Sequence, residues 1–280
     1  MQSFESHGVV DEAQALKYFM YLSSVSAPVL RGGGGGGGGD CKVEGSSDSG
    51  GGEGSLEDIT RRLEALEAKL LGSLDPETRK THEFALGKEG ACVGRVFKDV
   101  KEKKCYSAAW KWVPSEYYGW DLEKRRSCLG AHNVEQLCKA MLMENKSHHE
   151  GGGDNRLNSR FYLVVVQYSA TISQKKLEGE VRGLLPVEKR LTAKDYSFSV
   201  AKEADSDKRT GFKHNSVSPF GLATDVPIIL DEAVSTLDVP FFWMGGGHVD
   251  LKLGMSVKDF VGTTNCAVLD VSEARAGMKK

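Results

Sequence analysis

The segment FYLVVVQYS, residues 161–169, places the strongest constraint on the fold of this chain. Its residues are almost all β-branched, aromatic or otherwise apolar, and they lack the polar and apolar alternation of a strand with one face in water. Such a run is typical of a central strand that is buried on both faces. A strand of this kind needs neighbouring strands and covering layers, so the segment predicts a sheet inside a layered domain.

The segments around this strand predict the other elements of the domain. Apolar or alternating runs predict further strands at residues 93–100, 106–113, 226–230, 241–244, 249–253 and 267–271. Periodicity and capping residues predict helices at residues 134–145, 174–184, 193–203 and 256–261. Asn133 and Gln136 form a capping-box pattern at the start of the first of these helices. Strands and helices in this irregular order favour an α+β fold.

A glycine-rich stretch separates this domain from the N-terminus. Residues 32–39 are all glycine, and SSDSGGGEG follows at residues 46–54. Such a chain has no apolar surface to offset the entropy lost on ordering. We therefore predict a disordered linker at residues 28–54, preceded by a short segment, residues 1–27, with a helix near residues 5–25.

An amphipathic helix is predicted at residues 55–72. Apolar residues recur at helical or heptad-like spacing, at Leu56, Ile59, Leu63, Leu66 and Leu70. The pattern covers about two heptads, whereas a coiled coil normally has at least three. Two interpretations stay open: the helix packs on its own domain, or it mediates self-association as a short coiled coil.

Charge and cysteine spacing exclude several classes of protein. A net charge of -2 argues against a protein that binds duplex DNA, but it allows a local basic patch for RNA. Because the six cysteines never occur as C-x-x-C, a zinc site and a disulfide framework are not expected. Dinucleotide- and phosphate-binding motifs are also missing, and no cofactor is expected. No apolar run reaches the roughly 18 residues of a membrane span, and acids precede residues 15–30. We predict a cytoplasmic protein without a membrane partner.

No familiar catalytic or nucleotide-binding signature occurs, but three features attract attention. GGGHVD, residues 245–250, leads into a predicted strand and so lacks the helix dipole of a nucleotide loop. On that strand His248 and Asp250 share a face, unless the segment is a hairpin turn. Lys139 has mostly apolar neighbours, so its cation either reaches water or faces a polar pocket. The small, polar residues 215–219 (NSVSP) form either a turn or a loop that presents backbone N–H groups.

Five segments in order resemble the YbaK/ProX family of aminoacyl-tRNA deacylases. They are LCKAMLMEN, RFYLVVVQYS, TGFKHNSVSPFGL, IILDEAV and FFWMGGGHVDLKLG. This family is related to the editing insertion of bacterial prolyl-tRNA synthetases, and the resemblance covers roughly residues 120–270. EYYGWDLEKRRSCLGAHN resembles the eukaryotic branch. The resemblance implies a mixed, largely antiparallel and barrel-like sheet surrounded by helices, at residues 89–272, followed by a tail at 273–280.

The resemblance also implies functional residues. The family's functional lysine corresponds to Lys139, and its G-x-x-x-P loop corresponds to Asn215, Ser216, Val217, Ser218 and Pro219. The glycine-rich strand entry corresponds to Gly245, Gly246 and Asp250, with His248 between them as a further substrate-binding candidate. Asn215 replaces the loop's leading glycine, and Asn is among the few residues that tolerate a left-handed backbone.

The implied activity is trans-editing: hydrolysis of the ester that joins a wrong amino acid to the 3′ end of tRNA. The reaction needs a positioned water, N–H donors for the developing oxyanion and a clamp on the terminal nucleotide. Between residues 98 and 126, basic residues outnumber acids and alternate with aromatic rings, which suits a single-stranded 3′ end. For these rings the alternative is that Trp110 and Trp112, at alternate positions, form the buried face of a strand. For the whole protein the alternative is a non-catalytic binding or scaffold module that associates with aminoacyl-tRNA synthetases.

Overall fold

The computed structural model describes Arg61, residues 72–148 and residues 156–275. The chain divides into two compact units, Met1–Leu74 and Asp75–Lys280, and the elements named below belong to the second. Predictions for residues 1–27 and 28–54, and for almost all of the helix at 55–72, lie outside the described residues. Within the described ranges, no helix combines the length and the apolar character that a membrane crossing requires.

Ten strands in the described ranges form three sheets. They are β1 (Ala109–Trp112), β2 (Cys138–Asn145), β3 (Phe161–Gln167), β4 (Ala170–Ile172), β5 (Phe198–Val200), β6 (Ile228–Asp231), β7 (Phe241–Gly245), β8 (Leu251–Ser256), β9 (Ala267–Leu269) and β10 (Ser272–Ala274). The sheet orders are β5-β2-β3-β6-β9, β1-β8-β7 and β10-β4. Only β3 with β6 and β6 with β9 pair in parallel among these strands.

Seven α-helices surround the sheets in the same ranges. They are α1 (Pro76–Leu86), α2 (Ala91–Glu102), α3 (Leu122–Leu129), α4 (Gln174–Gly183), α5 (Glu203–Thr210), α6 (Glu232–Ser235) and α7 (Val257–Thr264). Local signals define their ends. The Asp75 carboxylate accepts a hydrogen bond from the Thr78 N–H at the start of α1, and the Ser256 hydroxyl caps α7. The fold is α+β, as the sequence predicts, but the described strands form open sheets and not a closed barrel.

Strand β3 is the central strand that the sequence predicts. All seven of its residues are buried, and it is the third of the five strands in its sheet. Its side chains Val164 and Val166 pack in one apolar cluster with Leu177 and Val181 of α4. The helix thus covers one face of the sheet, and Leu163 and Val165, which point to the other face, are also fully buried. Burial on both faces explains why the strand shows no alternation of polar residues.

The five-stranded and three-stranded sheets meet at a single backbone bridge between Leu137 and Trp243. Leu137 immediately precedes β2, and Trp243 lies in β7. The bridge brings the first residues of β2 next to the last residues of β7. These are the segments that carry Lys139 and Gly245.

The prediction of a strand at residues 93–100 is wrong, because these residues belong to helix α2. Four apolar residues recur here at sequence intervals of three, one and three positions: Val93, Val96, Phe97 and Val100. This spacing places them on one face of a helix. All four are buried. The sequence itself carries this helical spacing, because Arg95 and Asp99 interrupt any alternation, so the strand prediction misread the period of the pattern.

The prediction of a helix at residues 134–145 is also wrong. Asn133 and Gln136 form the predicted capping box, but they close a single turn of 3-10 helix, Val134–Gln136. From Cys138 onward the chain pairs with β3 on one edge and, at its end, with β5 on the other. Hydrogen bonds on two edges outweigh the helix propensity of the leucine, lysine, alanine and methionine residues in this segment.

Two further boundaries differ from the sequence prediction. Residues 193–203 form a 3-10 turn, Ala193–Asp195, followed by β5, and α5 begins only at Glu203. Strand β8 begins at Leu251, so His248 and Asp250 lie in the turn before it and not on one face of a strand. The helices at 174–184 and 256–261, and strands at 106–113, 226–230, 241–244 and 267–271, are confirmed with small shifts of their ends.

Candidate functional site

A cavity of about 340 Å³ opens where β2, the end of β7 and the loop between α5 and β6 come together. Four of the residues singled out from the sequence line it: Lys139, Asn215, Val217 and Gly245. Its walls combine apolar side chains of β2 and β5 with the rings of Tyr118 and Tyr168 and with polar groups of α5. The cavity therefore has the mixed apolar and polar lining that is typical of small-ligand sites.

Lys139 projects from β2, and not from a helix as the sequence suggested. Its ammonium donates to the Ala170 carbonyl at 3.3 Å and lies 5.8 Å from the centre of the Tyr168 ring. Partial burial lowers the pKa of Lys139, and the nearby Arg275 lowers it further. The residue thus presents a cation at the cavity wall, with N–H donors left for a ligand.

The loop at residues 215–219 begins in a left-handed conformation. Asn215 has a φ of 63°, which glycine adopts freely and asparagine tolerates better than most residues. The replacement of the family's glycine by Asn215 is therefore compatible with the loop's shape. Ser216 closes the turn, because both its N–H (3.0 Å) and its hydroxyl (2.7 Å) donate to the Lys213 carbonyl.

The next two residues of the loop carry free donors. Within the described part of the chain, the backbone N–H groups of Val217 and Ser218 have no hydrogen-bond acceptor. The Ser218 hydroxyl, in contrast, accepts from the Phe220 N–H at 3.2 Å. Val217 lines the cavity, whereas Ser218 and Pro219 lie buried behind it. Unpaired N–H groups beside a cavity are suited to bind an anionic oxygen.

Gly245 allows this loop to lie against β7. A Cβ atom at position 245 would collide with the backbone carbonyl of Val217, so a residue with a side chain would displace the loop. Gly246 continues the chain beyond the strand, and its N–H donates to the Leu251 carbonyl at 3.0 Å. The glycine at 245 thus has a steric role at the wall of the cavity.

His248 and Asp250 do not line the cavity. The His248 ring packs against Phe84 and Trp112, with centroid distances of 5.3 and 5.5 Å. Its Nδ1 accepts from the Asp250 N–H at 3.1 Å, which closes the turn before β8. The structure gives both residues structural contacts away from Lys139 and the loop.

Three residues near the loop were not predicted as site residues: Lys252, which was not singled out from the sequence, and Tyr118 and Arg125, which were considered only as members of the basic and aromatic stretch at residues 98–126. Lys252 lies on β8, the central strand of its sheet, and only 5% of its surface is exposed. Its ammonium donates to the Tyr118 hydroxyl at 3.1 Å and to the Val249 carbonyl at 2.6 Å. The Tyr118 hydroxyl in turn donates to the Asn215 carbonyl at 2.8 Å. A charged residue between Leu251 and Leu253 was the available sequence signal.

Burial shifts the pKa values of Lys252 and Tyr118 in opposite directions. It lowers the pKa of Lys252 to about 8; Asp250 opposes this shift, and Arg125 adds to it. Burial also raises the pKa of Tyr118, and the adjacent Tyr168 acts in the same direction. The Tyr118 phenol therefore keeps its proton at neutral pH and can donate a hydrogen bond.

The basic and aromatic stretch between residues 98 and 126 is mostly engaged in internal contacts. Its cations form ion pairs: Lys98 with Glu102, Lys103 with Asp99, Lys111 with Glu77 and Arg126 with Glu123. Trp110 is buried and packs on Phe97 of α2, with ring centroids 5.4 Å apart. These contacts agree with the interpretation of the alternating rings as the packed face of a strand.

The family model of the aminoacyl-tRNA editing domain matches residues 129–262. This part of the chain is similar to that family, which confirms the resemblance read from the sequence. The matched residues contain Lys139, the loop at 215–219, Gly245 and Lys252, whereas Tyr118 and Arg125 precede them.

Solved structures are similar to the chain in fold. A scaffold protein used in computational epitope grafting has a TM-score of 0.50 and 18% identity, over 66% of this chain and 98% of that one. A candidate trans-editing enzyme for prolyl-tRNA synthetase has a TM-score of 0.49 and 19% identity, over 65% of this chain and 98% of that one. At 18% identity the likeness to the scaffold protein concerns the fold alone. The comparison with curated proteins gave no match.

Proposed function

We propose that this protein is a trans-editing deacylase, which hydrolyses the ester of mischarged aminoacyl-tRNA. One observation carries the proposal: within an aminoacyl-tRNA editing domain, a single cavity joins the Lys139 cation to a loop whose Val217 and Ser218 N–H groups have no acceptor. Ester hydrolysis passes through a tetrahedral oxyanion, and backbone donors that are already in place stabilise such a charge strongly.

The proposed nucleophile is water and not a side chain. The hydroxyls of Ser216 and Ser218 are both engaged inside the loop, with the Lys213 carbonyl and the Phe220 N–H. Neither serine has a histidine partner among the described hydrogen bonds, so a serine-based relay receives no support. An aminoacyl ester is an activated acyl group, and a positioned water with oxyanion donors is a sufficient arrangement.

The proposed reaction is attack by water on the ester carbonyl carbon, followed by departure of the ribose oxygen. The water oxygen bonds to the ester carbonyl carbon, whose oxygen takes up negative charge opposite the Val217 N–H and the Lys139 ammonium. The bond from that carbon to the ribose oxygen then breaks, and the ribose oxygen receives the proton that water has lost, with the adjacent ribose hydroxyl as carrier. The products are a free amino acid and a tRNA with an unmodified 3′ end.

The size of the cavity fits the aminoacyl end of the substrate. A volume of about 340 Å³ is near the lower limit of small-ligand sites, which extend from about 300 to 1,000 Å³. Such a space holds an amino acid and part of the terminal nucleoside, while the rest of the tRNA stays outside. The rings of Tyr118 and Tyr168 at the cavity wall offer surfaces on which a terminal base can stack.

Replacement of Lys139 by Met tests the proposal. The purified protein is expected to release amino acid from at least one mischarged tRNA, and Lys139→Met is expected to lower kcat by about 10²-fold, as loss of an oxyanion donor typically does. Lys175→Met removes an exposed lysine of α4 and serves as the matched control, with unchanged rates expected. Full activity of Lys139→Met would contradict the assigned site, and no release from any charged tRNA would contradict the activity.

A non-catalytic binding module is the second candidate, and one contact favours it. The Lys139 ammonium already has an internal acceptor, the Ala170 carbonyl, so it also fits a structural role. In that case the protein binds the aminoacylated 3′ end, or joins aminoacyl-tRNA synthetases in the cytoplasm through residues 55–72, without hydrolysis. Retention of synthetases that depends on residues 55–72, together with stable charged tRNA, would favour this candidate.

A further inference from the structure

A chain of hydrogen bonds connects three separate segments at the wall of the cavity. It runs from Lys252 on β8, through the hydroxyl of Tyr118 in the 3-10 turn Ser115–Gly119, to the backbone carbonyl of Asn215. The two distances are 3.1 and 2.8 Å. The chain ends on the residue that opens the loop and that has the left-handed backbone.

The direction of these bonds follows from the chemistry of the groups. An ammonium can only donate, so the Tyr118 oxygen must accept the hydrogen bond from Lys252. The single proton of the phenol is then free to point away from Lys252, toward the Asn215 carbonyl. Lys252 itself is held by its second acceptor, the Val249 carbonyl at 2.6 Å. The lysine thus orients the phenol, and the phenol holds the loop.

Arg125 fixes the other side of Tyr118. Its guanidinium donates to the backbone carbonyl of Tyr118 at 2.5 Å and to that of Trp120 at 3.0 Å. It also lies over the Tyr118 ring, 5.4 Å from the ring centre. Both the backbone and the hydroxyl of Tyr118 are therefore constrained by cations, which limits the positions that the phenol can reach.

We propose that Lys252 and Tyr118 are positioning residues of the hydrolytic site. They hold the Asn215 carbonyl and thereby keep the loop in place, including the unpaired N–H of Val217 at the cavity wall. Lys252 and the loop lie within the matched editing domain, whereas Tyr118 lies in the segment before it. The segment that precedes the matched residues therefore supplies a part that the loop requires.

The kinetic test rests on the proposed function and uses Tyr118→Phe, Lys252→Met and the double variant in the full-length protein. A loop displaced by about an ångström costs rate and not binding, so each single variant is expected to lower kcat about 10-fold with little change in KM. Because the two residues act in series, the double variant is expected to be no slower than either one. Losses that multiply, or that appear in KM alone, would overturn the relay. Tyr117→Phe, which removes a hydroxyl from the same aromatic cluster, is the matched control.

A second measurement does not depend on hydrolysis. The amides of Ser216 and Phe220 are hydrogen-bonded within the loop, to the Lys213 carbonyl and the Ser218 hydroxyl. Loss of one supporting hydrogen bond is expected to raise their hydrogen-exchange rates about five-fold in Tyr118→Phe, but not in Tyr117→Phe. Unchanged exchange would overturn the positioning role even if wild type is active. Raised exchange in a protein without deacylase activity would support the role and contradict only the proposed function.

Discussion

Replacement of Lys252 by Met is expected to change how stability depends on pH. The Lys252 ammonium is buried on the central strand of its sheet and has two neutral hydrogen-bond acceptors. Among the described residues, no carboxylate forms an ion pair with it. Lys111, opposite it on β1, pairs with Glu77, while Arg125 adds positive charge nearby. The charged form of Lys252 is therefore less favourable in the folded protein than in water.

The magnitude follows from the pKa of Lys252. Burial lowers it from 10.5 to about 8, and a difference of about 2.5 between folded and unfolded pKa values corresponds to about 3.4 kcal/mol. Between these two pKa values the unfolded chain binds a proton that the folded protein does not. Stability therefore rises with pH in this window. Below about pH 7 both states are charged, and Lys252 contributes no slope.

The assay is urea unfolding of wild type and Lys252→Met at pH values from about 7 to 10. The free energy of unfolding of wild type, minus that of the variant, is expected to increase by about 2.5 kcal/mol over this range. Near pH 7 the variant is expected to be as stable as wild type or more so, because relief from burying a charge offsets two lost hydrogen bonds. Tyrosines and cysteines that titrate in the same range are common to both proteins, so they cancel in the difference.

A parallel pH dependence in the two proteins would refute this reasoning, because it would mean that Lys252 titrates near its ordinary pKa. Lys175→Met, which removes an exposed lysine of α4, is the control and is expected to follow wild type. Strong destabilisation of Lys252→Met at pH 7 would contradict the argument in a different way. It would show that the two hydrogen bonds outweigh the cost of burying the charge.

Two further predictions concern the loop. Gly245→Ala is expected to lower kcat more than ten-fold and to cost about 1–3 kcal/mol of stability, because its Cβ would collide with the Val217 carbonyl. The control in the same unfolding and deacylation assays is Gly179→Ala, whose Cβ lies in open space on α4. Equal effects of the two variants would contradict the steric role of Gly245. Asn215→Gly is expected to keep stability and activity. Asn215→Val is expected to lose about 1–2 kcal/mol of unfolding free energy, because a β-branched residue resists the left-handed backbone. Equal stability of the two variants in urea unfolding would refute this prediction.

The sequence predicts those elements whose signals are local or uninterrupted. Strand β3 is apolar throughout, and the capping serine at 256 marks the start of α7. The loop at residues 215–219 is also predictable, because Pro219 and the small residues before it exclude regular structure. The resemblance then joins that loop to Lys139 and Gly245, and the structure places these three features around one cavity.

One of the errors arises where packing overrules local preference. The residues of β2 have high helix propensity and follow a real capping box, yet strands on both edges make the segment extended. For β2 the deciding interactions are with residues that are distant in sequence. The error at α2 is of another kind, because its apolar residues recur at helical spacing and the sequence already carried the correct signal.

The two lysines of the site show most clearly what sequence alone leaves undetermined. Lys139 and Lys252 both stand between apolar neighbours, but only Lys139 was singled out from the sequence. In the structure Lys139 lines the cavity, where a ligand can meet its ammonium, while Lys252 is covered by Tyr118 and faces no ligand. The difference comes from Tyr118, which lies more than a hundred residues from Lys252 along the chain. Under the proposed function the two cations have different roles: Lys252 maintains the shape of the loop, and Lys139 stabilises the negative charge that develops on the substrate.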